Sequence, residues 1–111
     1  EAPKHAPQSL LTIDAHLSVD LAKRRVIVDG RPGESLSPTE QRLLAVLAAH
    51  AGEVVTTEDL LRRVWGDESR RSAGHLKTYV HYLRHKIEPN PAEPRFILTE
   101  RGVGYRFSAR T

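Results

Sequence analysis

Two histidines four residues apart, His81 and His85, are the first candidates for chemistry, because at that spacing two imidazoles share one side of a helix and can reach one metal ion. A protein metal site needs three or four ligands, and no third His or carboxylate pairs with them on that side, so no metal is expected. The chain has no Cys, which excludes thiolate sites, disulfides and thiol nucleophiles. Gly102-Val103-Gly104 lacks the third glycine and the following helix of a phosphate-cradling loop and reads as a turn. Paired carboxylates and a Ser, His and Asp constellation are not found, so the chain is expected to be no enzyme and to carry no cofactor. What remains is the chemistry of polyanion binding. His75, Lys77, Thr78, His81, Tyr82, Arg84 and His85 form a dense set of cationic and hydrogen-bonding groups with hardly a carboxylate among them, followed by Lys86 and, further on, by Arg101.

The charge distribution agrees with that chemistry. Residues 1–61 hold six Lys/Arg against nine Asp/Glu, and residues 62–111 hold eleven against five, so the halves carry net charges of −3 and +6 within a total of +3. A basic half inside one small domain is an electrostatic footprint for nucleic acid. With 111 residues, 39% hydrophobic and 28% charged, the chain has the size and composition of a single globular domain. Its longest apolar run, Leu43 to Ala49, spans seven residues and is far short of the roughly 18 that cross a bilayer. Residues 1–9 are polar, contain Pro3 and Pro7, and lack both an initiator Met and an apolar stretch; they are expected to be an interdomain linker remnant rather than a signal peptide, leaving 10–111 as the domain. Absence of Cys suits a reducing cytoplasm.

The elements that must position the cationic set follow from periodicity and capping. Leu11 to Ile13, Leu17 to Asp20 and Arg25 to Val28 read as short antiparallel strands, Asp29-Gly30 as a tight turn, and a fourth short extended piece follows Arg31-Pro32-Gly33 and ends at Leu36. Ser37-Pro38-Thr39-Glu40 combines an N-cap, a proline at the first helical position and a capping-box glutamate; the helix it starts ends near His50, with Gly52 as its cap. Thr56 and Asp59 start a second helix that stops at Gly66. After the polar loop Asp67 to Arg71, a third helix from Ser72 to Ile87 places Leu76, Val80, Leu83 and Ile87 in one stripe and so exposes the cationic set on the other side. The prolines at 89, 91 and 94 end it. Phe96 to Thr99 and Tyr105 to Phe107 then make a hairpin around the glycine-rich turn. Trp65, Leu76, Leu83, Phe96 and Phe107 are expected in the core. The fold class is α+β: a winged helix-turn-helix with an N-terminal four-stranded antiparallel sheet, three helices and a C-terminal β-hairpin wing.

Four segments in this order carry a resemblance. Ser37-Pro38-Thr39-Glu40 with Leu43-Leu44, Leu60-Leu61-Arg62-Arg63-Val64-Trp65-Gly66, Val80-His81-Tyr82-Leu83-Arg84-His85-Lys86-Ile87, and Thr99-Glu100-Arg101-Gly102-Val103-Gly104-Tyr105-Arg106-Phe107 together resemble the OmpR/PhoB output domain over about residues 10–108. Within that family, the stretch from Tyr82 through Pro91-Ala92-Glu93-Pro94-Arg95 to Phe107 looks most like regulators of potassium-transport genes.

The resemblance implies sequence-specific binding of double-stranded DNA for the control of transcription, the third helix lying in the major groove and the wing in a minor groove. It further implies an upstream receiver domain phosphorylated by a sensor kinase, dimers on tandem half-sites, and contact with RNA polymerase through Asp67, Glu68, Ser69, Arg70 and Arg71. Carried onto this chain, His75, Lys77, Thr78, His81, Tyr82, Arg84 and His85 would face bases or phosphates, Thr99 and Tyr79 would touch phosphate, and Arg101 would enter the minor groove. Two positions depart from the family pattern: Tyr82 stands where the base-reading residue is often Arg, and Thr57 where the second helix often begins with Arg. The competing classes are a winged-helix module that binds a protein partner and an RNA binder. The first would require exposed apolar residues on the third helix, and the second would show in competition with duplex DNA.

Overall fold

The computed structural model of the chain describes residues 10–13, 15–20, 22–66 and 73–108. The expected linker 1–9 and the expected loop Asp67 to Arg71 lie outside them.

The N-terminal sheet consists of β1 (Leu10–Thr12), β2 (Leu17–Asp20), β3 (Arg25–Val28) and β4 (Arg31–Ser35), antiparallel and in sequence order. Asp29 and Gly30 both adopt positive φ, 53° and 79°, the backbone of a two-residue turn whose twist matches the strands it joins. Val28 accordingly pairs with Arg31 across it. Alternation along β2 buries Leu17 and Val19, and these meet Val26 of β3 on the inner side of the sheet.

Helix α1 (Pro38–Ala49) starts as its sequence dictates: the Glu40 amide donates to Ser37 Oγ at 3.1 Å, and the Ser37 amide donates to Glu40 Oε1 at 2.8 Å. It ends at His50, which is its cap. Gly52 was expected to be the cap, but its amide donates instead to the Phe107 carbonyl at 2.8 Å, holding the end of α1 to the C-terminal sheet. Helix α2 (Thr57–Trp65) opens with the Asp59 amide donating to Thr56 Oγ1 and closes at Gly66, both as expected. Helix α3 (Ala73–Ile87) buries Leu76, Val80, Leu83 and Ile87 against α1, α2 and the sheets.

The expected C-terminal hairpin forms from β6 (Ile97–Glu100) and β7 (Gly104–Phe107) and gains a third strand that the sequence reading did not include. A short strand between the first two helices, β5 (Val54–Thr56), completes a three-stranded antiparallel sheet of order β5-β7-β6. Val54-Val55-Thr56 is β-branched throughout and suited to a strand, yet at three residues it is too short to announce itself by alternation. Phe96 stacks on Phe107 at 6.1 Å between ring centroids, and both are buried in the core. Trp65, expected in the core, is half-buried at its edge.

Candidate nucleic-acid interface

The apolar stripe of α3 fixes what its opposite side can display. His75, Lys77, Thr78, His81, Tyr82 and His85 are all exposed there, and no carboxylate lies among them. The imidazoles of His81 and His85 meet edge to face at 4.4 Å, and among the described residues no third His, Asp or Glu joins them in a metal-binding group. Tyr79, expected to touch phosphate, is half-buried with its ring 5.7 Å from that of Trp65 and 5.8 Å from that of Tyr82.

The two remaining cations of the helix are not on that display. Arg84 was expected to face bases or phosphates, but it sits at the flank of the stripe and turns onto the hairpin. Its Nε and Nη2 donate to the Ile97 carbonyl at 3.1 and 2.7 Å, Nη2 also donates to Thr99 Oγ1 at 2.8 Å, and the guanidinium lies 5.9 Å from the centre of the Tyr105 ring. Burial pushes the Tyr105 hydroxyl above the usual phenol range, while the Arg84 charge pulls it the other way, so the phenol stays neutral at ordinary pH. Arg84 thus ties α3 to β6 and sets the angle between helix and wing. Thr99 remains exposed and keeps its hydroxyl proton for another acceptor.

Lys86, expected with the cationic set, points to the opposite flank. Its Nζ donates to Glu40 Oε1 at 2.7 Å and to the Ser35 carbonyl at 2.9 Å, so the carboxylate of the α1 capping box also anchors α3. The Glu40 side chain is only 5% exposed and that of Lys86 20%, which makes this a largely desolvated pair whose one-sided removal strands a buried charge. Lys86→Met is expected to cost about 2 to 3 kcal/mol in urea unfolding, below the full buried-pair range because the Lys is partly wet. The salt dependence of any nucleic-acid binding should stay unchanged, and a flattened salt dependence would return Lys86 to the interface.

Sequence reasoning also missed Glu88. This buried carboxylate follows the last turn of α3, where the helix dipole disfavours negative charge, yet it accepts the amides of Arg95, Phe96 and Ile97 at 2.7 to 3.0 Å. It therefore pins the start of β6 to the end of α3. An acid in so unfavourable a place, ahead of a proline loop, was the available signal.

At the other end of β6, the turn Arg101 to Val103 projects from the sheet, with Gly102 at φ 78°. Thr57, Lys77, Thr99, Arg101 and Val103 line one groove between α3 and this wing. Lys77 and Arg101 face it exposed and form no ion pair among the described residues, whereas the carboxylate of Glu100, which also lines the groove, is held by Arg106 at 3.0 Å. Two unpaired cations, one from the helix and one from the wing, are thus aimed into a concavity beside a carboxylate-free helix surface. That arrangement suits a polyanion that follows a curved path.

Comparison with known proteins agrees with this geometry. Residues 30–107 match the family model described as "Transcriptional regulatory protein, C terminal". The chain belongs to this family, the winged-helix output domains of OmpR/PhoB response regulators, whose members are regulators of transcription and not enzymes. Among curated relatives it is 45% identical over 102 residues to the KDP operon transcriptional regulatory protein KdpE of Escherichia coli K12, covering 92% of this chain and 44% of that protein. It is 42% identical over 92 residues to KdpE of Mycobacterium tuberculosis, covering 83% and 40%. The chain thus spans less than half the length of these relatives. Among solved structures, the DNA-binding domain of Klebsiella pneumoniae RstA in complex with the RstA box superposes with a TM-score of 0.72 at 30% identity, over 89% of this chain and 96% of that one. Response regulator DrrB of Thermotoga maritima, an OmpR/PhoB homolog, gives 0.75 at 31% identity over 97% and 49%. Among the described residues, no helix is long and apolar enough to cross a membrane.

Proposed function

We propose that this chain binds duplex DNA sequence-specifically by laying α3 in the major groove while the wing at Arg101 reaches the adjacent minor groove. The observation that carries this reading is the exposed, carboxylate-free side of α3, which shares a groove with the unpaired Arg101. His75, Thr78, His81, Tyr82 and His85 face base edges; Lys77, Thr99 and, at the margin, Tyr79 serve phosphates. Arg84 acts as a positioning residue through Ile97 and Thr99. Complex formation by RstA with its box supports the same mode here. A protein-binding role is disfavoured because Tyr82 is the one large apolar group on the outward side of α3.

The length of the relatives supports a place at the output end of a two-component response regulator in the cytoplasm. In it, a receiver domain phosphorylated by a sensor kinase drives dimerisation on tandem half-sites, and Asp67 to Arg71 contact RNA polymerase. The resemblance to KDP operon regulators makes potassium-transport genes the proposed targets. If about five phosphates are neutralised per half-site, log K falls against log salt with a slope near −4.5. Titration of the chain with a duplex selected from a random library checks this, and equal affinity at two salt concentrations would overturn it. Arg101→Ala should reduce the slope by about one unit and weaken binding most at A·T-rich flanks.

A further inference from the structure

Tyr82 is 47% exposed, which makes it the most exposed aromatic side chain among the described residues, and it projects from the side of α3 proposed to enter the major groove. Its ring is not loose. Tyr79 meets it edge-on at 5.8 Å and 82°, Trp65 supports Tyr79 from α2 at 5.7 Å, and His81 flanks it at 6.2 Å. The support runs from the core margin outward, so the ring is held before any ligand arrives. A phenol offers a single hydroxyl and cannot make the two parallel hydrogen bonds by which a guanidinium reads guanine. What it presents instead is a rigid apolar surface. The major-groove edge of a base pair carries one apolar group, the C5-methyl of thymine.

We infer that Tyr82 makes the chain select a thymine in each half-site by packing its ring against the C5-methyl group. This rests on the DNA-binding reading and adds to it one base and the group on that base which is recognised. The outward neighbours of Tyr82 fit the assignment: Thr78 lies one turn away on the same side and can reach the adjoining base edge or backbone, and no carboxylate competes there.

The test uses the chain with a duplex selected from a random library, in which each thymine in turn is replaced by deoxyuridine, identical in pairing but lacking the methyl. Burial of one methyl against a ring corresponds to about a three- to fourfold change in affinity. Wild-type chain should show that loss at one thymine per half-site, and Tyr82→Phe, which keeps the ring, should show it too. Tyr82→Ala, expected to fold normally because the side chain is half in solvent, should bind thymine and deoxyuridine duplexes equally. Two results overturn the inference while leaving DNA binding intact: no thymine in the selected site is sensitive, or the sensitivity persists in Tyr82→Ala. Failure to select any duplex overturns both this inference and the reading beneath it.

Discussion

Replacing Glu88 by Ala is expected to remove about 4 kcal/mol of stability, which for a domain of this size lowers the thermal midpoint by roughly 20 °C. The side chain accepts from three consecutive backbone amides, of which those of Phe96 and Ile97 are buried, and Ala supplies no acceptor in its place. Each orphaned buried amide costs about 1 to 3 kcal/mol, and bonds to a charged acceptor lie at the upper end. Ile97 begins β6, so the loss falls on the strand that carries Thr99 and leads to Arg101. Affinity for DNA should therefore drop by more than the unfolded fraction accounts for. Glu88→Gln keeps the shape but turns an amide group toward amide donors, and it should fall between wild type and Ala. Thermal unfolding of the three proteins decides the matter: a shift of under about 5 °C for Ala would mean that water replaces the carboxylate at little cost.

Gly104→Ala should be as damaging for a different reason. A methyl group added at Gly104 would lie 2.8 Å from the Cα of Thr56, 2.9 Å from the carbonyl carbon of Val55 and nearer still to its oxygen, all backbone atoms of the paired strand β5. Backbone in a ladder cannot swing aside as a side chain can, so β5 must separate from β7 or the chain must unfold. A loss of at least about 3 kcal/mol is expected, the upper range for overpacking. Gly102, two residues earlier, is the control. Its added methyl would meet nothing within 4 Å, and only its positive φ would be strained, at about 1 to 2 kcal/mol. Urea unfolding of both variants should separate them clearly; equal losses would show that turn strain governs this segment rather than strand contact.

Elements specified by neighbouring residues were legible in the sequence. The α1 start needs only Ser37, Pro38 and Glu40, the Asp29-Gly30 turn needs two residues, and the α3 stripe repeats within one helix. Features whose partners are distant in the chain were not. Strand β5 acquires its identity from β7, about fifty residues later, with Val54 opposite Arg106 and Thr56 opposite Gly104. Arg84 and Lys86 illustrate the same limit at the interface: helical periodicity separates the buried stripe from its opposite side, but a residue on the flank goes wherever a neighbouring element offers an acceptor. For Arg84 that acceptor is on β6, and for Lys86 it is the Glu40 carboxylate. The outward set His75, Thr78, His81, Tyr82 and His85 was legible because helical periodicity alone places it opposite the buried stripe, where it stands exposed.

The grip of Arg84 on Ile97 and Thr99 has a bearing on the operator itself. With α3 and β6 clamped together, the reach from bases read on one side of the duplex to the flank touched on the other is a constant of the protein, settled during folding. Inserting a single base pair between those two tracts would rotate one away from its reader by about a tenth of a helical turn, and the hydrogen bonds of Arg84 would have to break for the wing to follow it.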